Sequence, residues 1–265
     1  MARTASAGNK YSFLGFLDDD GFLIGGTPDA PAAGEASGML RLTGIKEVPI
    51  TIPDSDIISA TGDDTNIADF DFDSDQPRRY IATMAVEDLN LITYLTGVDQ
   101  ATIAGGSWAD FDVVDAPERT ACLIHQQRAV DLDSGKAWKG ILVRRATVKY
   151  LGQDSMNERT PSTFRLSVTP QPAMHDPWGF TLQKLARFKK FQSAYPYTMS
   201  AFTGDGAETT FHLDYEPVEV AKSQATVERI ARTITSVDPA YPYGFTLSLA
   251  AVGNGRGQML YQFRG

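Results

Sequence analysis

The feature that most constrains this chain is strict alternation of apolar and polar residues. Asp69-Phe70-Asp71-Phe72-Asp73 puts both Phe on one side of an extended backbone and all three Asp on the other. Thr163-Phe164-Arg165-Leu166-Ser167-Val168 alternates as cleanly. Only the two-residue repeat of a β-strand segregates such residues onto opposite faces. Between them, residues 141–150 place Leu142, Ala146, Val148 and Tyr150 on one face, with Arg144 as the exception. Arg145, Thr147 and Lys149 share the other face with Ile141 and Val143. Residues 40–50, 78–84 and 120–130 are further expected strands, rich in β-branched or aromatic types or in alternation. The expectation is a mainly β protein, a sandwich or barrel.

Two segments depart from that period. Ala85, Leu89, Ile92 and Thr96 fall at helical spacing, with Glu87 and Asp88 in the first turn and Gly97 as a terminal cap, so residues 85–96 read as one amphipathic helix over the sheet. Leu182, Leu185, Phe188 and Phe191 suggest a second helix over 181–192, its opposite face carrying Lys184, Arg187, Lys189 and Lys190. The expected core therefore includes Phe70, Phe72, Leu89, Ile92, Phe164, Leu166 and Val168.

Turn signals divide the chain into three parts. Residues 1–38 read as an N-terminal arm and long loop, with a hairpin of Phe13, Leu14, Phe16 and Leu17 against Phe22, Leu23 and Ile24 across Asp18-Asp19-Asp20-Gly21. Residues 39–192 form the main β-domain. Past Tyr195-Pro196-Tyr197, alternation at 210–215 and strands near 225–235, 243–250 and 258–263 predict a small separate β-domain over 198–265.

Searching for chemistry excludes more than it finds. A single cysteine, Cys122, rules out an intrachain disulfide and any multi-cysteine metal site. His125, His175 and His212 are far apart and form no metal or protease motif, and His125 reads as a strand residue rather than a base. Gly105-Gly106-Ser107-Trp108-Ala109 resembles a nucleophile elbow but ends in Ala and is expected to be a loop. Gly253, Gly255 and Gly257 are wrongly spaced for a dinucleotide site. Eight Asp between Asp54 and Asp75, with no Lys or Arg among them, miss the spacing and closing Glu of a calcium loop and read as a solvated acidic face. No cofactor, metal site or catalytic constellation is expected, and no apolar run is long enough to span a membrane. Met1 to Lys10 has no apolar run of the secretory kind. A net charge of -9 argues against gripping nucleic acid by phosphate neutralisation.

The order of these elements resembles the major tail tube protein of long-tailed bacteriophages. The likeness runs over about residues 8–180. It is carried by the arm and loop, Thr43-Gly44-Ile45, Ile52-Pro53-Asp54, Thr61-Gly62-Asp63-Asp64, the Phe/Asp strand, the single helix and the returning strands. Phe202-Thr203-Gly204-Asp205-Gly206 followed by Thr209-Thr210-Phe211-His212-Leu213 is similar to a β-module common in phage structural proteins. The resemblance implies a non-enzymatic subunit forming hexameric rings that stack into a tube. Its partners would be other copies of itself, tape measure and tail terminator proteins, and it would sit in the virion after assembly in the host cytoplasm. Residues 1–38 and 54–66 would make the ring-stacking contacts, with Phe13, Phe16, Asp63 and Asp64 as their candidates. The 198–265 module would decorate the outside or buttress neighbouring subunits.

Electrostatics adds a role for the acidic strand. If Asp69, Asp71 and Asp73 lined the lumen, they would repel the DNA backbone, so viral DNA would pass without specific binding. A capsid decoration or tail terminator protein is the alternative, with a carbohydrate-binding module (Tyr241, Tyr243, Phe245) and a hydrolase behind it.

Overall fold

The computed structural model describes residues 4–27, 29–32, 35–49, 56–62, 65–72, 79–85, 89–96, 100–103, 106–109, 118–131, 135–153, 163–171, 186–187, 195–204, 210–216, 218, 224–227, 230–232, 234–236, 244–247 and 256–264. Over 4–8, 56–62, 65–72, 89–90, 100–103, 106–109, 129–131, 135–137, 139, 186–187, 210, 212, 224–227, 230–232, 234–236 and 244–247 only the backbone is described.

The chain is mainly β with antiparallel sheets. Its first strands are β1 (Thr4–Leu17), β2 (Leu23–Gly25), β3 (Ala36–Gly38), β4 (Leu40–Arg41), β5 (Ile45–Glu47), β6 (Asp56–Gly62), β7 (Thr65–Phe72) and β8 (Tyr80–Met84). Helix α1 (Leu89–Thr96) is followed by β9 (Gln100–Ile103), β10 (Gly106–Ala109), β11 (Arg119–Asp131), β12 (Gly135–Gln153), β13 (Phe164–Pro170) and β14 (Ala186–Arg187). The C-terminal strands are β15 (Tyr197–Thr203), β16 (Thr210–His212), β17 (Gln224–Val227), β18 (Ile230–Arg232), β19 (Ile234–Ser236), β20 (Gly244–Leu247) and β21 (Arg256–Gln262).

The largest sheet runs β2-β1-β11-β12-β13-β8-β5, with β4 paired to β1 and β14 to β12 off this path. β5 pairs with β8 at one edge, Ile45 opposite Met84, while β4 pairs with β1 near the other, Leu40 opposite Leu14. Only residues 42–44 separate β4 from β5, so one short stretch of chain joins the two edges and closes a barrel. The Leu42 N–H donates to the Ser12 carbonyl at 2.8 Å and the Ala85 N–H to the Gly44 carbonyl at 2.7 Å. Gly44, at φ 70°, makes the turn that this bridge needs.

Alternation then fills the barrel. Leu14 and Phe16 of β1, Ala121 and Leu123 of β11, Val143, Ala146, Val148 and Tyr150 of β12, Phe164, Leu166 and Val168 of β13, and Tyr80, Ala82 and Met84 of β8 form one core. Leu91, Ile92 and Leu95 of α1 join it. Each fully buried Val, Leu, Ile, Phe or Met among them contributes about 1.5–3 kcal/mol. Ile92, Phe164, Leu166 and Val168 are 3%, 7%, 0% and 0% exposed. The side chains of Phe70, Phe72 and Leu89 lie outside the described residues.

The opposite face of β1, β11 and β12 makes a second core with the C-terminal strands. Tyr11, Phe13, Cys122, Ile124, Trp138 and Leu142 pack against Met199, Ala201, Phe202, Met259, Tyr261 and Phe263. Those come from a sheet ordered β18-β17-β21-β15-β3, whose edge strand β3 belongs to the N-terminal part of the chain. At Gly38 of β3 an added Cβ would meet the Asp214 carboxylate, which would have to swing aside to make room. The Gln126 side chain clamps the two layers, its Nε2 donating to the Tyr197 carbonyl at 2.6 Å and its Oε1 accepting from the Tyr197 N–H at 2.8 Å. Within 198–265, the described side chains of β15 and β21 share a core with β1, β11 and β12, and residues 36–38 pair with β15 at the edge of their sheet.

Other sequence expectations are corrected. Residues 4–17 are not an arm but an interior strand, paired with β11 from Thr4 to Phe16. Phe13 is 0% and Phe16 2% exposed, each facing one of the two cores, so neither is free to make a ring-stacking contact. The expected hairpin is present, with Phe16 opposite Gly25 across the acidic turn. Leu142 and Ala146 face different cores because β12 carries an extra residue between them: Ala121 opposes Ala146 but Leu123 opposes Val143. Within 181–192, Ala186 and Arg187 are a strand on the edge of β12, not helix. Residues 106–109 pair with β9 rather than forming a loop. The helix is described over Leu89–Thr96, Ala85 lies in a bend, and residues 86–88 lie outside the described residues.

Candidate assembly surfaces

The one histidine whose side chain is described lies inside the barrel. Ser12 and His125 are directly opposite on β1 and β11, and Ser12 Oγ is 2.8 Å from His125 Nδ1. On the other side of the ring, His125 Nε2 is 2.8 Å from the Tyr80 hydroxyl. β8 lies three strands from β11 in the sheet order, so this bond crosses the lumen of the closed barrel as a chord. The Asn9 amide donates to Ser12 Oγ at 2.8 Å.

Ser12, His125 and Tyr80 are 1%, 4% and 5% exposed. Burial lowers the His125 pKa to about 4 and pushes the Tyr80 phenol well above its ordinary value. A Ser–His pair can act as nucleophile and base only where a substrate reaches it. Here both atoms are sealed in the core, and the neutral imidazole satisfies two buried hydroxyls. Cys122, on the other face of β11, is 5% exposed, and burial pushes its thiol up to about 12, far from the thiolate a nucleophile needs. The imidazole of His212 and all of His175 lie outside the described residues. Among the described residues no group of three or more His, Cys, Asp or Glu could hold a metal ion.

The acidic segment forms a hairpin of its own. β6 and β7 pair antiparallel from Asp56 opposite Phe72 to Gly62 opposite Thr65, and neither pairs with any other described strand. Asp69 opposes Ser59 and Asp71 opposes Ile57, which sets them on the same face of β7. Asp63, Asp64 and Asp73 lie outside the described residues. The chain matches no protein-family model, and no curated protein matches it in sequence.

Two charged features were not legible in the sequence. Arg256, at the start of β21, pairs with Asp18 and, at 2.8 Å, with Asp20, and its guanidinium lies 4.5 Å over the Phe22 ring. This clamps the acidic β1–β2 turn to the C-terminal sheet. Arg41, Lys10 and Arg128 instead surround an aromatic pair. Tyr11 and Trp138 lie 5.2 Å apart, with Arg41 at 4.7 Å and Lys10 at 6.0 Å from the Tyr11 ring and Arg128 at 5.9 Å from Trp138. These residues come from β1, β4, β11 and β12, so no local motif announces the cluster. Among the described residues the only large hydrophobic side chain left exposed is Tyr195, at 39%.

Proposed function

We propose that this chain is a structural subunit that self-assembles into hexameric rings stacked as a phage-type tail tube. The observation that carries the reading is the β6–β7 hairpin, which pairs with no other described strand. A two-stranded hairpin is at best marginally stable in water, and its unpaired edges are a template for another chain. A neighbouring subunit is the natural place for it to dock. A closed antiparallel barrel with one packed helix fits the expected subunit architecture. Buried placement of the Ser12–His125–Tyr80 chain supports a structural rather than an enzymatic role.

In this reading Asp69, Asp71 and Asp73 face the conduit and keep it non-adhesive to DNA during genome ejection, and tape measure and terminator proteins meet the two tube ends. Phe13 and Phe16, committed to the cores, leave the stacking role to the Asp63–Asp64 tip. Sedimentation velocity across a range of concentrations tests the reading. A ring-sized species that gives way to heavier polymers is expected; a single monomer boundary at every concentration would reject self-assembly. A discrete ring with nothing heavier would favour a terminator.

A further inference from the structure

We propose that the Lys10–Arg41–Arg128 cluster is the docking site for the Asp63–Asp64 tip of the β6–β7 hairpin of a second copy of this chain. The inference rests on the self-assembly reading above and names the surfaces that meet.

The cluster is a preformed cationic site. All three side chains are exposed, and among the described residues none of them pairs with a carboxylate. Arg256 and Arg264, by contrast, are paired with Asp18, Asp20 and Glu216. The Tyr11 and Trp138 rings hold the cluster in place through cation–π contacts, worth about 0.5–1 kcal/mol each at exposed sites. Because the rings are 7% and 5% exposed and belong to the core, the cations sit on a rigid base. Asp214 and Arg41 both act on the Tyr215 phenol, so the cluster has an acidic neighbour, but the two make no ion pair.

The occupant follows from charge. The chain carries -9 net charge, and the Asp54–Asp75 segment holds eight Asp without a compensating cation. Gly62 pairs with Thr65, so Asp63 and Asp64 are the two residues that link β6 to β7. Among the described side chains Tyr195 is the only large hydrophobic left exposed, and the cationic site itself offers charge to a second copy. The site and the tip are different surfaces of one molecule, so the contact is heterologous and propagates or closes into a ring.

Charge reversal tests this in the full-length protein. Arg41→Glu with Arg128→Glu is expected to weaken assembly by at least tenfold at 0.1 M salt, since like charges would then face each other. Adding Asp63→Lys and Asp64→Lys to that protein is expected to restore assembly. Circular dichroism of each variant confirms folding, and the milder Arg41→Gln with Arg128→Gln pair should give a smaller loss. Wild-type assembly should fall as salt rises from 0.1 M to 1 M and the screening length drops from about 10 Å to about 3 Å. If the reversed variant assembles as well as wild type, the docking site is wrong while the self-assembly reading stands. The same follows if reversal spares assembly but abolishes retention of duplex DNA, which would make the cluster a phosphate site. If wild type never assembles, both fall.

Discussion

His125 shows how one residue ties the N-terminal strand to the far side of the barrel. Its neutral ring bridges Ser12 and Tyr80, and protonation would place a charge in the core beside two hydroxyls with no carboxylate among its hydrogen-bond partners. The folded pKa of about 4 lies below the ordinary 6.5, so between those values the unfolded chain binds the proton first. Stability is therefore fully present above about pH 6.5 and falls as the pH drops toward 4, by roughly 3 kcal/mol at 1.36 kcal/mol per pKa unit. Urea unfolding of wild type and His125→Gln across this window should show the wild-type slope flattened in the variant. Equal slopes would contradict the assignment. The strand placement of His125 was legible from Cys122-Leu123-Ile124 beside it. Its partners were not, because they lie 113 and 45 residues away and meet only when the sheet closes.

At the scale of elements, what was readable was local. β8, β11 and β13 follow from alternation because each is paired on a sheet with distinct faces, and β7 was read from the same period. The bulge in β12 was hidden because it moves Leu142 across the sheet through a register shift that only the partner strand reveals. Helical spacing at 181–192 misled for a related reason: at Ala186–Arg187 the backbone pairs with the open edge of β12, and tertiary pairing outweighs weak propensity. Of the assembly surfaces, the acidity of the segment and the strand at β7 were readable, whereas its partner β6 and the Tyr11–Trp138 cation cluster, which gathers four strands, were not. The β6–β7 hairpin makes the sharpest prediction here. Replacing residues 56–72 with a short Gly-Ser linker should leave the melting temperature within a few degrees of wild type, because no other described strand pairs with the hairpin. The same replacement should abolish polymers in sedimentation. Intact polymers would place the contacts elsewhere.

At the scale of the molecule, two cores share three strands. β1, β11 and β12 face the barrel interior on one side and the C-terminal sheet on the other. Turn-rich sequence near 193–200 suggested a domain boundary, yet Gln126, Arg256 and β3 all bind across it. Removing the C-terminal strands would expose Tyr11, Phe13, Ile124 and Trp138 together. Scanning calorimetry should accordingly show one cooperative transition, with van't Hoff and calorimetric enthalpies equal. Two resolved transitions would show that the C-terminal part unfolds as a separate domain.

The central claim is that such a body builds a tube. Negative-stain electron microscopy of the purified, concentrated full-length protein tests it most directly. Hollow tubes of stacked six-fold rings are expected, whereas isolated molecules, or closed rings that never stack, would contradict the tail tube account.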